Sequence, residues 1–238
     1  MQIHVNTPDL RAALAAVAPH AEESVVRFTA TDQVLYVQAS SGYTVAMGIV
    51  SVWDHKDLTG DPAADSFDLD QKIALELLRI FKPNKEAQGQ EDDQLRLSTT
   101  ADEVEVLDVS GLFPGKHYSV PNAGLADWFP NVPAVFYGAM EGRAKVPERL
   151  VVTGQRLKIF ATAAAAYKSS LTLEPTGDRG LIVLAAGESF LGALVQINAE
   201  EGSGLDRELN EHREGWRRRL PGVASAIGES FRTRAEAA

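Results

Sequence analysis

Asp108-Val-Ser-Gly-Leu-Phe-Pro-Gly-Lys-His-Tyr-Ser-Val-Pro-Asn122 follows a strand-like segment and admits two readings. Gly111 to Lys116 has the look of a phosphate-cradling loop. Such a loop needs Gly, four residues, then Gly-Lys-Ser/Thr, so that backbone N–H groups curl around a phosphate and a hydroxyl reaches magnesium. Here three residues separate Gly111 from Gly115, and His117 stands where the hydroxyl is wanted. Pro114 removes a backbone donor as well. The phosphate reading therefore fails, and the other reading, the exit from a structural domain, has to come from the rest of the chain.

Working outward, the chain repeats one order: strand, helix, strands. Gln2 to Val5 reads as a strand, followed by Thr7-Pro-Asp, with Thr7 as N-cap and Pro8 opening a helix. Leu10, Leu14 and Val17 make one apolar stripe on that helix. Strands are expected at Val25 to Thr31, Val34 to Ala39 and Tyr43 to Val52, joined by turns into an antiparallel meander. The loop Leu58 to Asp65 precedes a second unit. Ser66 to Leu69 is its strand, and Asp70 caps a helix to about Phe81 with Ile73, Leu77, Ile80 and Phe81 inward. Pro83 and Asn84 stop it. After the acidic turn Gln88 to Asp93 come strands at Leu95 to Thr99 and Val104 to Val109.

A third unit is expected from Val146. Pro147 and Glu148 open its helix, which carries Leu150, Leu157, Phe160 and Ala164 on one side and Gly154 as a weak point. Strands follow at Ser170 to Glu174, Gly180 to Ala185 and Phe190 to Ile197, with Thr176-Gly-Asp and Gly187-Glu-Ser as turns. Between the second and third units, residues 123–142 are rich in aromatics and proline and read as a degenerate unit or a crossover. The domain expectation is 1–122, a shortened 123–202, and a helical tail at 203–238 that is partly disordered. In the tail Leu205, Leu209, Trp216 and Leu220 form one stripe, with Arg217-Arg-Arg219 at the helix C-terminus and frayed chain after Pro221.

Composition bounds the function. With 238 residues, 45% hydrophobic and 24% charged, the chain can bury a real core. It has no cysteine, which excludes disulfides and thiolate metal sites. No apolar run approaches the roughly 18 residues of a membrane span, and the N-terminus lacks a signal pattern, so a cytoplasmic protein is expected. A net charge of −10 argues against nucleic acid coating the whole surface, but not against one basic face. The five histidines show no paired metal-ligand spacing. There is no Gly-x-Ser-x-Gly elbow. Asp68 and Asp70 alternate as cation ligands do, but Asp70 is better explained as a cap. No catalytic residue, metal or cofactor is assigned.

Several of these segments resemble the sliding DNA clamps, in particular the bacterial DNA polymerase III beta subunit. Gly111, Leu112, Phe113, Pro114 and Pro121 are similar to the Phe-Pro segment that closes a clamp domain, which implies that the opening stretch is a rigid exit from a sheet, with Phe113 packed and Pro114 ending strand pairing. Phe129-Pro-Asn-Val-Pro133 looks like a second copy. Glu188 to Ile197 resembles the family's last strand, though Gln196-Ile-Asn198 replaces its usual ending. Phe28 to Asp32 and Tyr43 to Ala46 look like early strands of a clamp domain. The resemblance implies an α+β fold of strand–helix–strands units, with antiparallel sheets outside and helices inside a ring. It implies a non-catalytic processivity factor that encircles duplex DNA without reading sequence and tethers a polymerase, with a clamp loader as a further partner. The length suits the two-domain clamps, which close as homotrimers, although three units per chain would close a twelve-unit ring as a tetramer. DNA-facing cations are then expected on the helices: Lys72, Arg79 and Lys82 beside Glu76, then Arg149, Arg156 and Lys158, and Arg11. The partner groove is not placed, though Phe190 and Leu191 are considered for it. A clamp-like platform or inhibitor without ring closure, and a small-molecule-binding α+β protein, stay open as alternatives.

Overall fold

The computed structural model describes residues 1–83, 93–141, 149–176, 181–197 and 200–236, with side chains described to 224. Two compact units divide it, Met1–Gln196 and Ile197–Ala238.

The first unit begins with β1 (Gln2–Asn6) and α1 (Thr7–Val17), closed by a 3₁₀ turn, Ala18–Ala21. The N-cap of α1 is Asn6 rather than Thr7: its carboxamide oxygen accepts from the Asp9 N–H, and Thr7 is the first helical residue. Next come β2 (Val25–Ala30), β3 (Val34–Ser40) and β4 (Thr44–Lys56). The order repeats with β5 (Ser66–Asp70), α2 (Gln71–Ile80), β6 (Gln94–Thr99), β7 (Glu103–Asp108) and β8 (His117–Pro121). Asp70 caps α2 as its position suggested, accepting from the Lys72 N–H at 2.8 Å.

Asp108–Asn122 is a hairpin, not an exit. Its loop is closed where the Asp108 N–H donates to the Lys116 carbonyl and the Gly115 N–H donates to the Asp108 carbonyl, both at 2.8 Å. Past it the chain returns as β8, paired antiparallel with β7. Phe113 is not packed: it is 84% exposed and Leu112 is 99% exposed. A Cβ on Gly115 would sit 2.7 Å from the Asp108 carboxylate, so the turn requires glycine. Phe-Pro here marks a loop tip, where Pro114 has no ladder bond to lose.

The third helix starts later than its sequence pattern suggested. Pro147 and Glu148 lie outside the described residues; α4 spans Gly154–Tyr167, with Thr153 as N-cap and Gly154 at its first position. Phe160 and Ala163 are buried, while Leu150 and Leu157 are exposed. Strands β9 (Thr172–Pro175), β10 (Leu181–Ala186) and β11 (Phe190–Val195) follow. The turn at Thr176-Gly-Asp, the acidic turn before Asp93, Asn84 and Asn198 fall largely or wholly outside the described residues.

All described strand pairs are antiparallel. The path is β5-β2-β3-β4-β1-β6-β7-β8. The long β4 binds β3 along one edge; on the other, its first half pairs with β11 and its second with β1. Side chains alternate across this sheet. Ala46, Ile182 and Leu194 face a core shared with α1, α2 and α4, as do Phe28 and Phe67, whose rings stack at 4.7 Å. Met47, Val183 and Ala193 face the opposite side, where α3 (Val132–Glu141) covers them with Val132, Phe136 and Ala139. Residues 123–131 and α3 are therefore a crossover over the outer face. Phe129-Pro-Asn-Val-Pro133 leads into that helix instead of closing a sheet.

In the second unit, α5 runs from Gly204 to Glu236 with Pro221 inside it. The helix does not end at Pro221, and Arg217-Arg-Arg219 sits mid-helix. No helix among the described residues is long and apolar enough to cross a membrane.

Candidate nucleic-acid interface

Three helices share the inner face of the sheet, with α1 between α2 and α4. Close approach is built into the strands beneath. A Cβ on Gly48 would sit 3.0 Å from Ala13 Cβ and from the Tyr167 hydroxyl, and one on Gly192 would sit 2.4 Å from Phe160 Cε1. Glycine at both points lets α1 and α4 lie directly on β4 and β11.

On α2 the sequence expectation of a polar face holds locally. Lys72, Glu76 and Arg79 are exposed, with Lys82 just beyond the helix. Ala74, Leu77 and Phe81 are buried, while Ile73 and Ile80 are half-buried. The Tyr118 hydroxyl donates to Glu76 at 3.0 Å, which holds that carboxylate beside β8.

Two expected cations are engaged inside the protein. The Arg11 guanidinium donates to the carbonyls of Leu78 and Phe81, capping the C-terminal end of α2, where Lys116 also donates to the Ile80 carbonyl at 2.8 Å. Burial pushes Arg11 below its ordinary value, opposed by the charge of Asp93. Arg156 stacks over the Tyr43 ring at 3.9 Å and donates to the Val195 carbonyl at 3.3 Å. Arg149, before α4, is half-buried and is not a free cation. Lys158 is exposed.

Sequence patterning missed Lys168. It follows α4 in the left-handed conformation, φ 50°, and lines an open groove of about 510 Å³ between α1 and α4 with Asp9, Arg11 and Tyr167. Its only signal was position: a residue just past a helix end, where cations favour the dipole. Burial, then the charge of Asp9, pushes the Tyr167 hydroxyl up, so it stays neutral. Phe190 lies in the core beside His20 and Tyr167, and Leu191 faces the α3 cluster, so neither lines an open groove. Asp68 is bound to Arg27, and among the described residues no three potential ligands gather for a metal.

Repeated strand–helix–strands units, antiparallel sheets and helices gathered on one face define the sliding-clamp fold. Solved clamps carry it at low identity. The chain matches the DNA polymerase III beta subunit of Thermotoga maritima with TM-score 0.57 and 11% identity, over 84% of this chain and 65% of that one. A putative DNA polymerase III beta subunit from Eubacterium rectale gives 0.56 and 12%, over 88% and 67%. The Bacillus subtilis sliding clamp gives 0.56 and 11%, over 84% and 64%. The chain thus spans about two thirds of the length of these clamps. No family model and no curated protein matches it.

Proposed function

We propose that the chain is a sliding clamp: a non-catalytic ring, most simply a homotrimer, that encircles duplex DNA and tethers a replicative polymerase, opened by a loader. The observation that carries this reading is the charge of the helical face. The three helices bear Arg11, Lys72, Arg79, Arg156 and Lys158 against Asp9 and Glu76, in a chain of net charge −10. A basic face on an acidic body attracts phosphates to one side only. Clamps need that attraction weak and independent of sequence, because topology retains the DNA and protein–phosphate bonds need only permit sliding.

The phosphate-facing residues proposed are Lys72 and Arg79 on α2, Lys82 just beyond it, Lys158 on α4, and Lys168 at its end. Arg11 and Arg156 serve the fold first, and Arg149 contributes from the approach to α4. Ring closure is proposed at the outer strands β8 and β9, each of which pairs on one side only among the described residues. An unpaired edge is a template for another chain. The domain division proposed is 1–122, the double unit, followed by the single unit of 123–202 and the tail.

Retention on nicked circular DNA tests the reading. With a loader supplied, the protein should stay on circles and run off when the DNA is linearised. Equal retention on both forms would mean ordinary surface binding and would overturn encirclement.

A further inference from the structure

The second unit presents an apolar stripe whose layout matches itself. On α5, Trp216 is 61% exposed, Leu220 54% and Val223 53%. Leu209 and Val223 stand equally far from Trp216 along the chain, as do His212 and Leu220. The sequence places Leu205 and Ile227 at one further equal interval. The steps of four, three and four residues make an 11-residue repeat, which keeps the stripe nearly parallel to the helix axis. Reversing the helix about Trp216 therefore superposes the stripe on itself.

Charge is arranged to the same symmetry. Before Trp216 the helix carries Asp206, Glu208, Glu211 and Glu214 against Arg207 and Arg213; just after it come Arg217, Arg218 and Arg219. One helix laid antiparallel on another about Trp216 brings Glu214 level with Arg218 and Glu211 two residues from the level of Arg219 on both sides of the axis, and the macrodipoles oppose favourably. Arg217 also pairs with Glu214 in its own helix at 2.8 Å, while Arg218 and Arg219 remain exposed. Pro221 lies inside the helix, where a proline forfeits a backbone bond. A packed apolar face is what offsets such a cost.

We propose that α5 is a self-association element: its stripe pairs antiparallel with the α5 of a second copy, about a twofold axis at Trp216. This interface is isologous, whereas ring closure joins unlike edges, so the two are separate. It links two copies, or two rings, through their tails.

The chain has no cysteine, so single cysteines report cleanly. In full-length protein, Leu209→Cys and Val223→Cys should each fail to cross-link alone with a short bis-maleimide. Mixed one to one, they should move up to about half of the chain, the share that pairs unlike, to twice its mass on a denaturing gel. Cross-linking within either variant alone indicates a parallel pair and overturns the proposal, as does no cross-linking in the mixture. Charge reversal gives a second readout, taken as mass by light scattering. Arg217→Glu/Arg218→Glu/Arg219→Glu and Glu208→Arg/Glu211→Arg/Glu214→Arg should each lose tail pairing and regain it on mixing. Loss of the cross-link on adding duplex DNA would assign these arginines to phosphate and would also overturn it. The cross-link should survive Leu173→Glu on β9, which removes ring closure, so failure of the ring and failure of the tail pair are told apart.

Discussion

Arg27 on β2 and Asp68 on β5 face each other across the sheet in a two-pronged ion pair, 2.8 and 2.9 Å. Each also grips the crossover: Arg27 donates to the Ala126 carbonyl at 2.9 Å and lies over the Phe129 ring at 4.3 Å, and the Ala126 N–H donates to Asp68 at 2.8 Å. A largely buried pair tied in this way holds position, and losing one member strands the other's charge. Asp68→Ala should therefore destabilise the first unit by about 3 kcal/mol in urea unfolding. Arg27→Met with Asp68→Leu should recover much of that stability while loosening residues 123–131 in hydrogen exchange. If the single variant costs nothing, the pair does not anchor the crossover.

His20 is fully buried, its ring 4.8 Å from Phe160, and neither nitrogen has a hydrogen-bond partner among the described residues. Burial pushes its pKa from 6.5 down to about 3. The unfolded chain then binds a proton that the folded chain refuses between those values. Stability from this group is full above pH 6.5 and is lost as pH falls toward 3, by up to about 1.4 kcal/mol per unit. His20→Leu should flatten the slope of unfolding free energy between pH 6 and 4 (about one proton's worth); an unchanged slope would count against the assignment.

Gly192→Ala should destabilise by about 1–3 kcal/mol, the usual range for overpacking. The new methyl would meet the Phe160 ring, itself fully buried on the sheet-facing side of α4. Adding Phe160→Leu should restore part of the loss in thermal melts, and no restoration would place the strain elsewhere.

Replacing Lys72, Arg79 and Lys82 by alanine should weaken binding to duplex DNA and flatten its dependence on log salt by about 0.9 for each phosphate no longer neutralised. Melting temperature should hardly move, because all three are exposed. Arg156→Ala should do the reverse: without the stack on Tyr43 and the bond to the Val195 carbonyl stability falls, and the salt slope changes less. Equal salt slopes for the triple variant and the parent would remove α2 from the interface.

Leu173 is 48% exposed on the outer strand β9. Leu173→Glu should reduce the assembly to single chains, or tail-linked pairs, by light scattering, while circular dichroism stays that of the parent. A ring that survives the substitution closes elsewhere.

Much of the first unit was legible in the chain, because strands and helices write their burial into period two and period 3.6. Gln2 to Val5, the meander of β2 to β4 and the Asp70 cap on α2 stand within a residue or a few of where patterning puts them. Phe113 was misread because a large apolar side chain beside proline signals either a packed exit or a loop tip. Only the position of β8 decides between them. Residues 123–141 gave no period strong enough to predict α3, whose buried face is set by Met47, Val183 and Ala193, residues remote in sequence.

The candidate site divides in the same way. That Lys72 and Arg79 share the polar side of one helix follows from spacing alone. That Arg11 caps a different helix, that Arg156 lies on Tyr43, and that Lys168 borders the same groove as Asp9 were settled by packing. Local order along the chain is governed by each residue's neighbours, so sequence alone determines the strand–helix–strands units and the polar face of α2. Whether a cation is free or already bound depends on what the folded chain brings to it from far away, and that was decided only in three dimensions.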